Sequence, residues 1–229
     1  MSTESGIPDF RSPNGVWATN RQVYFDEFVS DREARYEYWR QKSVAHREFA
    51  SSVPNIGHRI IAKWQQDGLI SRVITQNIDG LHQQAGCEDV IEIHGTARRV
   101  ACLSCDWSED AEIMVHRFLA DDTCPKCDVC GGITKHATIS FGQPLNEAVM
   151  QDTIDTLSKA ELVIAMGTSL VVEPAASIPW INNNPNRTVV IVNRDETGKD
   201  HLADMVINGE LGDTLTEIDK EVERALKAD

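Results

Sequence analysis

The 229-residue chain carries 36 acidic against 22 basic side chains, a net charge of −14, and 41% hydrophobic residues. That apolar share supplies a core and excludes bulk disorder, and the length suits one large domain or a domain with a sizeable insertion. The acidic balance excludes unaided nucleic-acid binding, which rests on neutralising phosphates, and no apolar run reaches the roughly 18 residues of a membrane-spanning helix.

No signal peptide is visible, and the six cysteines do not read as a disulfide framework in a chain of this size. The acidic surface is compatible with basic, lysine-bearing protein substrates, although a solvated acidic surface is the better explanation of it. No internal repeat or low-complexity segment occurs.

In chain order, residues 20–50 are rich in charge and aromatics. Phe25, Phe28, Tyr36, Trp39 and Phe49 fall at roughly helical spacing, which predicts amphipathic helices with the aromatics in a core. Asn55 to Gln66 reads as another helix, stopped at Gly68. Val73-Ile74-Thr75 is β-branched and apolar, a buried strand. Residues 100–135 form a compositional island holding five of the six cysteines. Beyond it, Ala137–Phe141 reads as a strand, Leu145–Lys159 as a helix and Leu162–Met166 as a buried strand, with a helix after Pro174. Thr188–Val192 is a second buried strand and Met205–Asn208 a short one. Asp213 then caps a last helix with Leu215, Ile218, Val222 and Leu226 on one face. Apolar strands alternating with helices imply a parallel sheet covered on both faces.

Three groups of residues carry chemistry. The first is Thr75-Gln76-Asn77-Ile78-Asp79-Gly80-Leu81-His82 with Ile93-His94-Gly95, polar side chains crowding where a strand stops. In open α/β sheets, ligands bind at the carboxyl ends of strands. The second is Gly167-Thr168-Ser169, again after a strand, where a glycine permits close backbone approach and hydroxyls can bond phosphate or ribose oxygens. The third is the pairing of Cys102-x-x-Cys105 with a second Cys-x-x-Cys, the spacing of a four-thiolate structural zinc site that leaves no open coordination position. Spacing alone leaves the second pair open, because Cys124-x-x-Cys127 and Cys127-x-x-Cys130 both satisfy it.

Taken together, the chain resembles the sirtuins, NAD-dependent protein deacylases. The matching pieces follow the family's order: Glu4-Ser5-Gly6-Ile7-Pro8-Asp9-Phe10-Arg11, Gln76 to His82, His94-Gly95, the cysteine pairs, Ser140-Phe141-Gly142, Gly167-Thr168-Ser169-Leu170 and Val192-Asn193. The Tyr38-Trp39 helix and the Pro54-Asn55 turn look more like the class II branch, which includes the mitochondrial type 4 enzyme. Gly131-Gly132 after Cys130, as after the last ligand in the family, favours Cys127 with Cys130.

The resemblance implies a Rossmann-like NAD-binding domain from residues 1–20, 66–99 and 136–229. A helical insertion at 21–65 and a zinc-ribbon insertion at 100–135 would form a smaller lobe. It also implies a cofactor site of Ile7, Asp9, Phe10, Arg11, Gln76, Asn77, Ile78, Asp79, Gly167, Thr168, Ser169, Asn193 and Leu211. In that scheme Ile78 and Asp79 hold the nicotinamide, Asn77 orders the ribose and a water, and Phe10 shields the anomeric carbon. Asn193 contacts the adenosine ribose, Leu211 flanks the adenine, and Arg11 serves phosphate or orders the cofactor loop.

The resemblance further implies that the acyl oxygen of an acyl-lysine attacks the anomeric carbon. His94 then takes a proton from a ribose hydroxyl, a task suited to a group whose ordinary pKa lies near operating pH. Phe141, Gly142, Val171, Val172 and Glu173 would bind substrate by adding its peptide as a strand. Gln143 stands where the family usually has Glu, and no tyrosine–arginine pair of the acid-selective kind is found, so neutral acyl groups are expected ahead of succinyl or malonyl.

The expected function is NAD-dependent lysine deacylation releasing nicotinamide and O-acyl-ADP-ribose, in the cytoplasm, with NAD and one structural zinc. Acyl-lysine proteins are the partners, and neither nucleic acid nor membrane is involved. Mono-ADP-ribosyl transfer and a non-catalytic zinc- and peptide-binding module are the alternatives.

The resemblance also has a gap. Sirtuins open with an apolar strand and a Gly-Ala-Gly-x-Ser loop, of which only Met1-Ser2 are present here. Met1 is therefore expected to be an internal methionine, with the natural chain beginning roughly 15–30 residues upstream. A central strand's absence is expected to leave two strand edges unpaired and open the core.

Overall fold

The computed structural model describes residues 1–8, 20–181 and 184–228. Cofactor candidates Asp9, Phe10 and Arg11 lie outside the described residues. The parallel strands form two pieces. β1 (Val73–Thr75) pairs with β2 (Val90–Glu92), and β6 (Leu162–Met166) pairs with β7 (Thr188–Asn193), which pairs with β8 (Met205–Asn208). Between these pieces in sequence, β3 (Gly95–Cys102), β4 (Ser108–Asp110) and β5 (Thr134–Thr138) make an antiparallel sheet in the order β4-β3-β5.

Two helical layers sandwich the parallel strands. On one face, α3 (Ile56–Gln66) and α7 (Leu211–Leu226) bury Ile60, Ile61, Trp64, Leu211 and Leu215 against Val73 and Val192. On the other, α6 (Glu147–Lys159) and a 3-10 helix at Ala175–Trp180 pack Leu157, Ala175 and Ile178 with Ile91, Ile74 and Val163. A short α4 (Leu81–Ala85) follows the Gln76–Gly80 loop. Each face spans β1 and β6 together, yet those two strands do not pair with each other. Their free edges line one large cavity, and Leu162, within a run of five apolar residues, remains 54% exposed.

A separate core joins α1 (Phe25–Ser30) and α2 (Arg32–Ser51) to the antiparallel sheet and α5 (Ala111–Asp121). Phe28 and Trp39 are fully buried there against Val100, Met114 and Phe118. Of the aromatics expected in this core, Tyr36 is instead exposed and hydrogen-bonds Asp122, while Tyr38 is buried.

Three boundaries differ from the sequence reading. The strand expected at Ala137–Phe141 runs from Thr134 to Thr138 and belongs to the antiparallel sheet, because the polar Thr134, Lys135 and His136 are all buried. The helix after Pro174 is 3-10 rather than α. The last helix begins at Leu211, not after Asp213, and the distant Glu4 carboxylate accepts the backbone N–H groups of Leu211 and Gly212 at 3.1 and 3.2 Å. No helix among the described residues is long and apolar enough to cross a membrane.

Candidate active site and metal centre

The Gln76–Gly80 loop leaves the carboxyl end of β1 under tight backbone control. The Thr75 hydroxyl accepts the Asn77 N–H at 3.0 Å, and the Ile78 carbonyl accepts the Ala97 N–H at 2.8 Å. Arg98 Nε donates to the Asp79 carbonyl at 2.7 Å. The Asp79 side chain is buried at 3% exposure, with one oxygen accepting the Leu81 N–H at 2.8 Å and the other the Ser2 hydroxyl at 2.6 Å. Ser2 Oγ also accepts from Asn77 Nδ2 at 2.8 Å, so one serine ties both polar side chains together.

His94 sits where β2 passes into β3. Its Nδ1 lies 3.0 Å from the Gln76 carbonyl. A carbonyl only accepts, so Nδ1 carries the hydrogen and the neutral ring keeps its basic lone pair on Nε2. Gly95 allows this placement. Its φ is +70°, and a Cβ there would lie 2.0 Å from the Ala137 carbonyl oxygen.

Opposite stands the end of β6. Gln76 Nε2 donates to the Thr168 hydroxyl at 3.4 Å, linking the two strand ends. Gly167, at φ +57°, brings its backbone against Met1, where a Cβ would fall 2.6 Å from the Met1 nitrogen. Asn193 closes β7 with its side-chain amide on the Asp195 carbonyl. Leu211 is buried, and Ile7 is buried on the same cavity.

One cavity of about 1660 Å³ takes in Ile7, Gln76, Asn77, Ile78, Asp79, His94, Gly167, Thr168, Ser169, Asn193 and Leu211. Among the expected substrate residues, Phe141, Gly142, Val172 and Glu173 line it too, whereas Val171 is 67% exposed and is not among its lining residues. Glu173 is engaged by Lys199 at 2.7 Å and by Ser177 at 2.9 Å, which hold its carboxyl below the usual range. Ser2, Glu4 and Arg98 form part of this framework, although the sequence reading assigned none of them a role in the site. Each acts through one hydroxyl, carboxylate or guanidinium meeting a partner at least 19 positions away.

The sulfurs of Cys102, Cys105, Cys127 and Cys130 lie within 4.8 Å of one another. The closest pairs are Cys102–Cys130 at 3.5 Å and Cys105–Cys127 at 3.6 Å. Tetrahedral zinc with bonds of about 2.3 Å spaces its sulfurs by about 3.8 Å, so the four residues fit that ion. The Ser104 N–H donates to Cys102 Sγ and pushes that thiol down to about 7, favouring the thiolate a metal needs. A Cβ on Gly132 would press within 3.1 Å of two of the sulfurs, so any larger residue there would crowd the cluster. Cys124 stands outside the cluster, packed against the α1–α2 core, which resolves the second pair as Cys127 and Cys130.

The Sir2 family model matches residues 1–174. The chain belongs to the Sir2 family. It is 44% identical over 217 residues to "NAD-dependent protein deacetylase 1" of Bradyrhizobium diazoefficiens, covering 94% of this chain and 85% of that protein. It is 34% identical over 225 residues to the "NAD-dependent protein deacylase" of Thermococcus kodakarensis, covering 95% and 86%. Among solved structures, a Sir2–p53 peptide–NAD+ complex superposes with a TM-score of 0.86 at 34% identity, covering 97% of this chain and 89% of that one. A Sir2 bound to acetylated peptide gives 0.86 at 32%, with the same coverages.

Proposed function

We propose that this Sir2-family chain is an NAD-dependent protein-lysine deacylase that releases nicotinamide and O-acyl-ADP-ribose. The observation that carries the reading is His94, its Nδ1 held on the Gln76 carbonyl, on a cavity shared with Asn77, Asp79 and Gly167. Deacetylase and deacylase relatives, and Sir2 structures holding NAD+ or acetylated peptide, support it.

NAD supplies an activated glycosidic bond with a cationic nicotinamide leaving group. This chain's residues bind and orient it. The Ile78–Asp79 loop is braced from β3 through the Ala97 and Arg98 hydrogen bonds, giving the carboxamide a fixed wall. Asn77, anchored through Ser2, orders the ribose. Gly167, Thr168 and Ser169 take the phosphates or the second ribose, and Asn193 and Leu211 the adenosine end. His94 Nε2 removes the proton from a ribose hydroxyl, a general-base role worth about 10²–10⁴-fold. Phe141 and Gly142 on one side and Val172 and Glu173 on the other receive the peptide.

The four thiolates hold one zinc that is structural, since they fill its coordination. The helices up to Ser51 and residues 100–135 make a smaller lobe against the NAD-binding remainder, as their shared core supports, whereas α3, expected in that lobe as part of 21–65, packs on the parallel strands instead. The place of action is the cytoplasm. The test is mass spectrometry of products from NAD and an acetyl-lysine peptide. O-acetyl-ADP-ribose with free lysine supports the deacylase. ADP-ribose attached to protein makes the chain a mono-ADP-ribosyltransferase instead.

A further inference from the structure

β1 stops at Thr75, and the loop beyond it is held from the side by β3. The Ala97 N–H donates to the Ile78 carbonyl at 2.8 Å, and Arg98 Nε donates to the Asp79 carbonyl at 2.7 Å. β3 reaches the loop because it leaves its own partner there. Gly95 pairs with Thr138 and Val100 with His136, so five residues of β3 advance against two of β5. The surplus is a bulge, a device that re-aims side chains beside functional sites. The Thr96 hydroxyl accepts the Arg98 N–H at 3.2 Å inside it.

Arg98 is held there at a cost. The residue is half-buried and enters no ion pair among the described residues. Its Nη2 is buried with no hydrogen-bond partner among them. A charged group with an unmade donor is expensive to bury, and the hydrogen bond it does make goes to the Asp79 carbonyl. Its stem lies on the next residue of the loop. A Cβ at Gly80 would meet Arg98 Cγ at 3.3 Å and Nε at 3.4 Å.

Gly80 has φ +70°, and a peptide plane before a glycine turns over easily, since glycine takes positive and negative φ alike. Turning the Asp79–Gly80 plane would swing the Asp79 carbonyl off β3. It would also disturb the Asp79 carboxylate, which is tied to the Leu81 N–H just past that plane. Arg98 opposes the turn twice, by gripping the carbonyl and by covering Gly80. It does not line the cavity, so it acts through the loop.

Resting on the deacylase reading, we propose that Arg98 is a positioning residue for the nicotinamide end of the site. By locking the Asp79–Gly80 peptide in one orientation, it sets how tightly Ile78 and Asp79 grip nicotinamide, both within NAD and as the released product. Phe141, Gly142, Val172 and Glu173, on the peptide side, follow β5 and β6 and stand outside this control.

The test is steady-state nicotinamide release by the zinc-loaded chain from NAD and an acetyl-lysine peptide, with added nicotinamide as product inhibitor. Two variants have the same reach as far as the Nε position. Arg98→Gln places an amide N–H donor there, and Arg98→Met places a methyl group. Arg98→Met is expected to raise KM for NAD and the nicotinamide inhibition constant together by about tenfold, the scale of one charge-assisted hydrogen bond. KM for the peptide and the zinc content should stay within about twofold of wild type, and Arg98→Gln should keep both nicotinamide-linked constants within about threefold. A merely structural role would move all the constants together and would not be rescued by Arg98→Gln. Should Arg98→Met lose its zinc or its fold, Arg98→Ala removes the donor in its place. Wild-type inhibition by nicotinamide in a donor-less variant overturns the proposal, as does a peptide KM that rises in step with that for NAD or a tenfold loss in Arg98→Gln. A wild-type chain that releases no nicotinamide would instead remove the deacylase reading itself.

Discussion

Acid should destabilise this fold through His58, and the effect has a calculable size. The His58 side chain is fully buried on α3, in edge contact with the His82 ring at 4.9 Å, and neither of its nitrogens has a hydrogen-bond partner among the described residues. Burial first, then the neighbouring His82, pushes its pKa from 6.5 to about 4. The unfolded chain therefore binds a proton that the native chain refuses between those values. Stability from this neutral histidine is fully present above pH 6.5 and is lost as the pH falls towards 4, with no further loss below.

At 1.36 kcal/mol per unit, the whole window is worth about 3 kcal/mol, a large part of a domain's usual margin. His82 is lowered by burial in the same direction. The perturbation is His58→Leu, which removes the titrating ring and fills most of its volume. The assay is urea denaturation at pH 6.5, 5.5 and 4.5, followed by tryptophan fluorescence. The variant should lose about 2 kcal/mol less than the wild type across that range, the part of the window those three pH values sample. Parallel pH profiles for the two proteins would show that His58 is charged or solvated in the native state and refute the reasoning.

Three further outcomes follow from the geometry. His94→Ala should keep its fold and metal content while turnover falls by about 10²–10⁴-fold, measured as nicotinamide release. Cys127→Ser should lose bound zinc and the ordered β3–β5 sheet, whereas Cys124→Ser should retain one zinc per chain by atomic absorption, since its thiol lies outside the cluster. In hydrogen exchange, the β6 amides facing β1 across the cavity should exchange faster than those of β7, which is paired on both sides.

The legible parts of this molecule are those whose signal is local. Val73–Thr75, Leu162–Met166 and Met205–Asn208 fold as strands at the positions read from their apolar, β-branched runs. Asn55 begins α3 because its side chain accepts the His58 N–H, an interaction confined to four residues. The cysteine spacing likewise predicts a cluster that closes locally. What misled was non-local. The β5 strand carries Thr134, Lys135 and His136, which by composition belong in a loop and are buried only because α2 packs over them. The start of α7 is set by Glu4, 207 positions away. Ser2 bridges Asn77 and Asp79 only once the chain has folded back on itself.

The most direct test of the central claim is calorimetric titration of NAD into the zinc-loaded chain and into its Asp79→Asn and Gly167→Val variants. The account predicts one binding site per chain, weakened in Asp79→Asn and abolished in Gly167→Val, where a side chain would strike the Met1 backbone. No binding heat from the wild-type chain, or binding indifferent to both substitutions, would contradict it.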